Sequence, residues 1–361
     1  MKKSRLMLFV APALLLVSCG VDGQIDSLGV TLPTGGTDTT LDVAAPKLAK
    51  ALGGTAAAGA FSASLSIPSA ISTITTPDVT IEETLTNGAA SLAVEGYTGT
   101  TAAGLKAAAS LGFDSLKFKI TTPEKADSQN DNPFANADIE VGKIGLNAYV
   151  ANSNFYLDIS DQTFRNALIS ALASGDSTMA SAYSSMLPSK LFVAGILADK
   201  DLPLFDVTSI GTQLDGIGAQ IAEKASLFNK FFTMKDYSDG TTAVYAKFDK
   251  DSIADFIATG QGIEPDEGYD YSSALSEMKS QFGDNKIDFS FAVVFNEDHL
   301  LSVALGEDLD ISVTEHDEYE GDMTTHVVSE AAMKLTFAYG DDVNVNLPAN
   351  FDDYLAFNVG D

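Results

Sequence analysis

The hydrophobic pattern of this 361-residue chain predicts an α+β fold, in which helices from the middle of the chain cover one face of a large curved antiparallel sheet, a half-barrel. Apolar and polar residues alternate with the period of a strand from Phe61 to Ile159 and again from Ile287 to Tyr339. The chain between these regions mainly shows helical spacing, with one strand pair predicted near 231–237 and 241–248. Strands from both ends of the chain can therefore share one sheet and bury its apolar face under the central helices.

The first group of predicted strands begins with Phe61, Ala63, Leu65 and Ile67, which alternate with small polar residues. Further strands are predicted at 91–96, 101–113 and 115–121 and in a hairpin of 144–150 and 155–159 around a turn at 151–154. In each strand one side is apolar and the other polar. This pattern is typical of a sheet with one packed face and one wet face.

The middle of the chain predicts helices. Asp161 is a candidate N-cap for a first helix, and a second helix over 177–187 ends at Pro188. A long helix from Asp206 places apolar residues at three-and-four spacing, namely Val207, Ile210, Leu214, Ile217, Ile221, Ala225 and Phe228. This stripe either docks on the protein's own core or forms a ligand surface. Two shorter helices are predicted at 251–259 and 271–282.

Strands resume at Ile287. Apolar residues occupy every second position of this strand: Ile287, Phe289, Phe291, Val293 and Phe295. The chain turns at 296–299, and further strands are predicted at 301–305, 309–314, 325–332 and 333–339.

The N-terminus has the pattern of an export signal. Lys2, Lys3 and Arg5 precede an apolar run over 6–17. This run is shorter than a membrane-spanning helix needs to be. Its last two residues and the next two form the sequence Leu16-Val17-Ser18-Cys19. The segment resembles the signal peptides of bacterial lipoproteins. That resemblance implies that the chain is cut after Ser18, that Cys19 is acylated, and that the lipid holds the protein on the cell envelope.

In lipoproteins of double-membraned bacteria, Gly20 in the position after the cysteine is compatible with delivery to the outer membrane. In a cell with a single membrane, the protein would face the outside. The expected location is therefore the outer membrane or the cell surface.

Composition divides the rest of the chain into a tether and one domain. Residues 19–58 are rich in Gly, Thr, Asp and Ala and predict a flexible tether with one short helix from Asp42 to Leu52. Residues 59–361 are predicted to form a single α+β domain.

The formal net charge of −29 excludes nucleic acid as an expected partner, because phosphate binding needs clustered Lys and Arg. It also argues against electrostatic docking on anionic lipid. The predicted attachment to the membrane therefore depends on the acyl chains at Cys19, to which each buried methylene contributes about 0.8 kcal/mol.

Three features together resemble the half-barrel lipoproteins related to LolA, LolB and LppX: the element order, the lipobox Leu16-Val17-Ser18-Cys19, and the C-terminal pattern of Leu347-Pro348 and Tyr354. The resemblance covers roughly residues 59–356. It implies an incomplete barrel whose apolar cavity holds acyl chains of envelope lipids, and it supplies no functional residue by position.

The candidate ligand-binding residues are Phe289, Phe291, Phe295, Leu214 and Ile217, for which core packing is the alternative. Small residues dominate 89–110, where strands normally carry bulky side chains. They either leave room for a ligand or pack closely under a helix.

No catalytic pattern is present in the sequence. It contains no G-x-S-x-G, no H-E-x-x-H and no cysteine besides Cys19. The acidic clusters at 264–270 and 315–322 lack EF-hand spacing and predict solvated loops, with weak binding of divalent cations as the alternative.

We therefore expect no enzyme activity, no cofactor and no metal site. The expected function is a lipid-anchored envelope protein that binds or carries a hydrophobic ligand, such as a lipid, in an apolar groove. The alternative is a surface-exposed structural or interaction lipoprotein without a ligand cavity.

Overall fold

A computed structural model of the chain describes residues 26–31, 34–96, 104–122, 137–173, 177–195, 225–260, 271–317 and 321–356. Fifteen strands of these residues form one sheet. In chain order they are β1 (Thr37–Asp38), β2 (Phe61–Thr75), β3 (Thr80–Glu95), β4 (Lys106–Phe113), β5 (Ser115–Thr121), β6 (Asp138–Val141), β7 (Ile144–Ala151), β8 (Asn154–Asp158), β9 (Lys190–Val193), β10 (Thr233–Asp236), β11 (Thr242–Phe248), β12 (Lys286–Phe295), β13 (Leu300–Asp317), β14 (Gly321–Tyr339) and β15 (Leu355–Ala356).

Helices of the described residues are α1 (Leu41–Ala57), α2 (Gln162–Ala173), α3 (Ser177–Met186), α4 (Ala225–Phe228), α5 (Lys250–Gly260) and α6 (Tyr271–Phe282). The helices predicted at 177–187, 251–259 and 271–282 are confirmed. Asp161 caps α2, since its Oδ1 accepts the backbone N–H of Phe164 at 3.0 Å. The long helix predicted from Asp206 lies mostly outside the described residues, which include only its last turn, α4.

The sheet is assembled from both ends of the chain, as predicted. Its strand order is β1-β10-β11-β12-β13-β14-β2-β3-β4-β7-β8-β9-β15, while β5 pairs with β3 and with β6. β14 and β2 join the two halves in antiparallel register from Tyr339–Phe61 to His326–Thr75. The path has two ends, so the sheet is open, and its parallel pair is β15 with β9. The α+β class with a large antiparallel sheet is thereby confirmed.

Two neighbouring rows of paired residues show how the sheet separates its faces. One row is apolar throughout: Val244, Val293, Val303, Leu335, Leu65, Ala90, Leu111 and Leu146. The row one residue away along each strand becomes polar: Ala243, Val294, Ser302, Thr336, Ser64, Ser91, Ser110 and Asn147. Successive side chains of a strand point to opposite faces. We call the side of the first row the apolar face and the other side the serine face.

The first helix, α1, packs on the apolar face. Its buried residues Leu41, Ala44, Ala45 and Ala51 form one core with Ala225, Met234, Val244, Phe295 and Leu300. Small side chains let the helix approach closely. At Gly54 a Cβ atom would lie 1.8 Å from the carbonyl oxygen of Asp298, so only glycine fits there.

Residues 26–31 pack on the opposite, serine face. Val30 is fully buried against Tyr245 and Ala292. The flexible tether predicted over 19–58 therefore does not describe this segment or α1. The helix predicted from Asp42 to Leu52 is confirmed, since it lies within α1. The small, weakly apolar residues of both segments permit close packing on the sheet.

The C-terminal segment covers the end of the sheet formed by β8 and β9. Leu347, Phe351 and Tyr354 pack against Tyr156, and β15 then pairs with β9. The Leu347 and Tyr354 positions that suggested a family resemblance thus have a structural role in this chain. They bury the aromatic side chains of β8 and β9 on the serine face.

Candidate ligand-binding face

The apolar face extends beyond the core under α1. On β3 and β4, Leu92 is 38% exposed and Leu111 is 49% exposed. Leu111 pairs directly with Ala90 on one side and with Leu146 on the other. Two large apolar side chains therefore face solvent in the middle of a continuous apolar surface, which is where an apolar ligand would gain contact.

Small residues surround these leucines. In the region 89–110 the apolar face receives Ala90, Leu92, Ala107 and Ala109, while Ser91 and Ser110 fall on the serine face. Ser91 and Ser110 are hydrogen-bonded to each other through their hydroxyl groups at 2.6 Å. The small residues noted in the sequence thus lie on both faces. On the apolar face, alanines are the neighbours of Leu92 and Leu111, so both leucine side chains protrude from the surface.

The far ends of the long hairpins carry a further apolar row. Ile311, Val327, Ile74, Ile81 and Ile120 are paired in succession across β13, β14, β2, β3 and β5. All five are half-buried. β-Branched side chains of this kind give the sheet a rigid apolar surface.

Phe289 and Phe291 belong to a cluster of phenylalanines on the apolar face. Phe289 stacks on Phe248 with ring centroids 4.8 Å apart, and Phe291 lies 6.2 Å from Phe232. Other members are Phe228, Phe231 and Phe256, which approach one another edge to face or at a tilt. The structure thus brings two predicted ligand-binding residues together. Periodicity within β12 gave no signal for the partners that come from α4, β11 and α5.

Phe295 is separate from that cluster. Its side chain has no exposed surface and fills the core between α1 and β11. A ligand could reach it only if α1 moved away. Phe295 is therefore a core residue, which is the alternative given for it above. Leu214, Ile217 and Cys19 lie outside the described residues.

A half-buried carboxylate, that of Glu307, interrupts the apolar face. Glu307 pairs directly with Phe289 and with Ala331. Its Oε1 accepts the hydroxyl of Ser329 at 2.7 Å. No composition or spacing rule marks Glu307, which looks in the sequence like one of several acids in a polar stretch.

The strand lysines of the described part of the chain lie on the serine face, where most of them pair with acids. Lys106 reaches Glu95 at 3.4 Å, and Lys117 reaches Glu140 at 3.2 Å. Lys119 pairs with Glu82 and Lys286 with Asp308. Such exposed pairs add little to stability, but they balance charge on that face.

A depression of about 440 Å³ lies at the C-terminal end of α1. Lys50, Gly54, Ala58, Asp298 and His299 line it, so it contains none of the predicted ligand-binding residues. The ring of His299 stacks on Tyr339 at 4.1 Å. Burial raises the pKa of Tyr339 to about 12, against the smaller opposing effect of its hydrogen bond with Thr55.

Within the ranges that the structure covers, no three His, Cys, Asp or Glu side chains are arranged to hold a metal ion. None of the helices described above combines the length and the apolar character needed to cross a membrane. A comparison of the chain with known protein families and with curated proteins finds no match.

Proposed function

We propose that the protein is a lipid-anchored protein of the cell envelope, acylated at Cys19, that binds a hydrophobic ligand on its apolar face. The lipobox and the signal-like N-terminus support the anchor. The exposed Leu92 and Leu111 on a continuous apolar surface support the ligand. This second observation carries the proposal.

The physical basis is the transfer of apolar surface out of water. Each methylene of an alkyl chain that moves from water onto such a surface contributes up to about 0.8 kcal/mol. The row from Leu65 to Leu146 crosses four strands, β2, β3, β4 and β7. At about 4.8 Å between strands, an alkyl chain laid across them would contact apolar side chains over roughly 15 Å.

In this proposal the sheet is curved around the ligand, and helices from the middle of the chain cover the apolar face. The aromatic cluster around Phe248 supports such a cover, because α4 and α5 each contribute a phenylalanine to it. The row from Leu65 to Leu146 lies on other strands, where Leu92 and Leu111 are open to solvent and a ligand has access.

The anchor is tested by growing cells that express the full chain with radiolabelled palmitate. We expect label on the protein and recovery in the membrane fraction, and loss of both in Cys19→Ser. A Cys19→Ser variant that keeps the label would overturn the acylation site.

The ligand is tested by native mass spectrometry on the chain that begins at Gly20, which contains every described residue. We expect a lipid adduct after purification without detergent, lost after extraction with organic solvent. A clean apo mass together with no uptake of a fluorescent fatty acid would exclude a carrier.

The filled core around Phe295 favours a second candidate, a structural or interaction lipoprotein that displays its acidic surface and binds no ligand. The same mass measurement separates the two, because this candidate predicts the clean apo mass.

A further inference from the structure

The apolar face carries a charge that no described side chain neutralises. Glu307 lies among Phe289, Leu305, Leu309 and Ala331, and the hydrogen bond that it accepts comes from Ser329. A half-buried carboxylate in apolar surroundings is unfavourable unless an opposite charge or several hydrogen bonds compensate it.

Among the described residues, the cations discussed for this part of the sheet have other partners. Lys286 on the same hairpin points to the serine face and pairs with Asp308. Lys230, which follows α4, pairs with Asp255. On α6, Lys279 pairs with Asp251, and on α5, Lys250 donates to the carbonyl of Gly283. Glu307 is thus the place on the apolar face where an external positive charge would be held best.

Small residues leave space beside this carboxylate. Ala331 and Ala70 follow Glu307 in the same cross-strand row, and Leu85 comes next. Phe289 stands on the other side of Glu307. A ligand could therefore place its head group at Glu307 and lay its tail over the alanines toward Leu85.

We infer that the ligand is a cationic amphiphile, an apolar chain that ends in an ammonium group held by Glu307. The inference rests on the proposed function and adds the chemistry of the head group. Ser329 is the positioning residue, since its hydroxyl fixes one oxygen of the carboxylate and leaves the other free to accept from the ammonium. Glu83 lies on the same face but is exposed, so solvent screens its attraction for the ammonium group.

The test compares two probes of equal chain length, dodecylamine and dodecanoate, by calorimetry at neutral pH with the chain that begins at Gly20. We expect dodecylamine to bind at least about ten-fold more tightly, as for one favourable charge contact. Glu307→Gln should abolish the preference without weakening the binding of dodecanoate. The matched control is Glu330→Gln, which removes the same charge from an exposed site on the serine face and should keep the preference.

Equal binding of both probes to the unaltered chain would overturn this inference and leave the proposed function standing. A loss of preference in Glu330→Gln as large as in Glu307→Gln would also overturn it, because the effect would then reflect the net charge of the protein. If neither probe binds, the proposed ligand function fails, and this inference fails with it.

Discussion

Tyr245 donates its hydroxyl to the carboxylate of Asp26 at 2.9 Å, although 219 residues separate them in the chain. The other carboxylate oxygen of Asp26 accepts the backbone N–H groups of Leu28 and Val30, each at 2.9 Å. Lys247, two residues along β11, donates to Ser27 at 2.8 Å. These contacts fasten residues 26–31 to the serine face.

This attachment limits how far the body can lie from the proposed anchor. Asp26 follows Cys19 by seven residues. A fully extended chain of that length spans about 25 Å at most. An acylated Cys19 would therefore hold the sheet close to the membrane.

Tyr245→Phe should lower the free energy of unfolding. The variant removes a hydrogen bond to a charged group, for which the expected loss is on the order of 1.5–3 kcal/mol. Urea unfolding of the chain that begins at Gly20 measures the change. A double-mutant cycle with Asp26→Asn isolates the pair, and an unchanged urea midpoint in Tyr245→Phe would show that the contact contributes nothing net.

Gly306→Ala should displace the segment 26–31. A Cβ atom there would lie 2.2 Å from the carbonyl oxygen of Leu28, so the segment must move or the sheet must deform. We expect a loss of about 1–3 kcal/mol in the free energy of unfolding and faster proteolysis near Val30. The control is Gly142→Ala, where a Cβ meets no atom within 4 Å. Equal midpoints for the two variants would contradict the packing of residues 26–31.

Stability should fall at alkaline pH. Burial raises the pKa of Tyr339 and of Tyr354 to about 12, from 10.0. A raised pKa in the folded state stabilises the fold below the pKa of the unfolded chain, and this contribution disappears as pH rises through the folded value. The free energy of unfolding should therefore decrease from pH 10 to about 12, and less steeply in Tyr339→Phe. Urea unfolding at a series of pH values checks this, and stability that rises over this range would refute it.

Phe295 and Phe289 should differ in what they contribute. Phe295→Ala should cost about 3–5 kcal/mol of stability, because it empties a fully buried site under α1. Phe289→Ala should cost less, since its ring is half-buried, but it should weaken ligand binding. Urea unfolding and calorimetry measure the two effects. A larger stability loss in Phe289→Ala would reverse the assignment of core and ligand face.

Period-two alternation was enough to predict most of the sheet. The hairpin turn predicted at 151–154 is also confirmed. Asn152 and Ser153 have the positive φ angles that such tight turns require. Alternation failed where one strand changes its surroundings along its length. β13 was predicted as two strands, 301–305 and 309–314, because the acids between them, Glu307 and Asp308, interrupt the apolar pattern, yet the strand is continuous.

Other parts of the sheet gave no periodic signal. The first half of β3, residues 80–90, is rich in Thr and Glu, and β6, β9 and β15 are short. Their place depends on long-range pairing, which a local window cannot detect. The same limit hid the neighbours of Phe289, since cross-strand register places Phe248 and Glu307 beside it.

The most direct test of the ligand face compares Leu111→Cys with Ser110→Cys. The chain from Gly20 contains no cysteine, so each variant carries one thiol for an environment-sensitive fluorophore. Neighbouring positions 110 and 111 point to opposite faces. We expect dodecanoate, whose binding does not depend on Glu307, to shift the emission of the label at 111 to shorter wavelength and to leave the label at 110 unchanged. Equal shifts at both positions, or no shift at 111, would contradict the proposed ligand face.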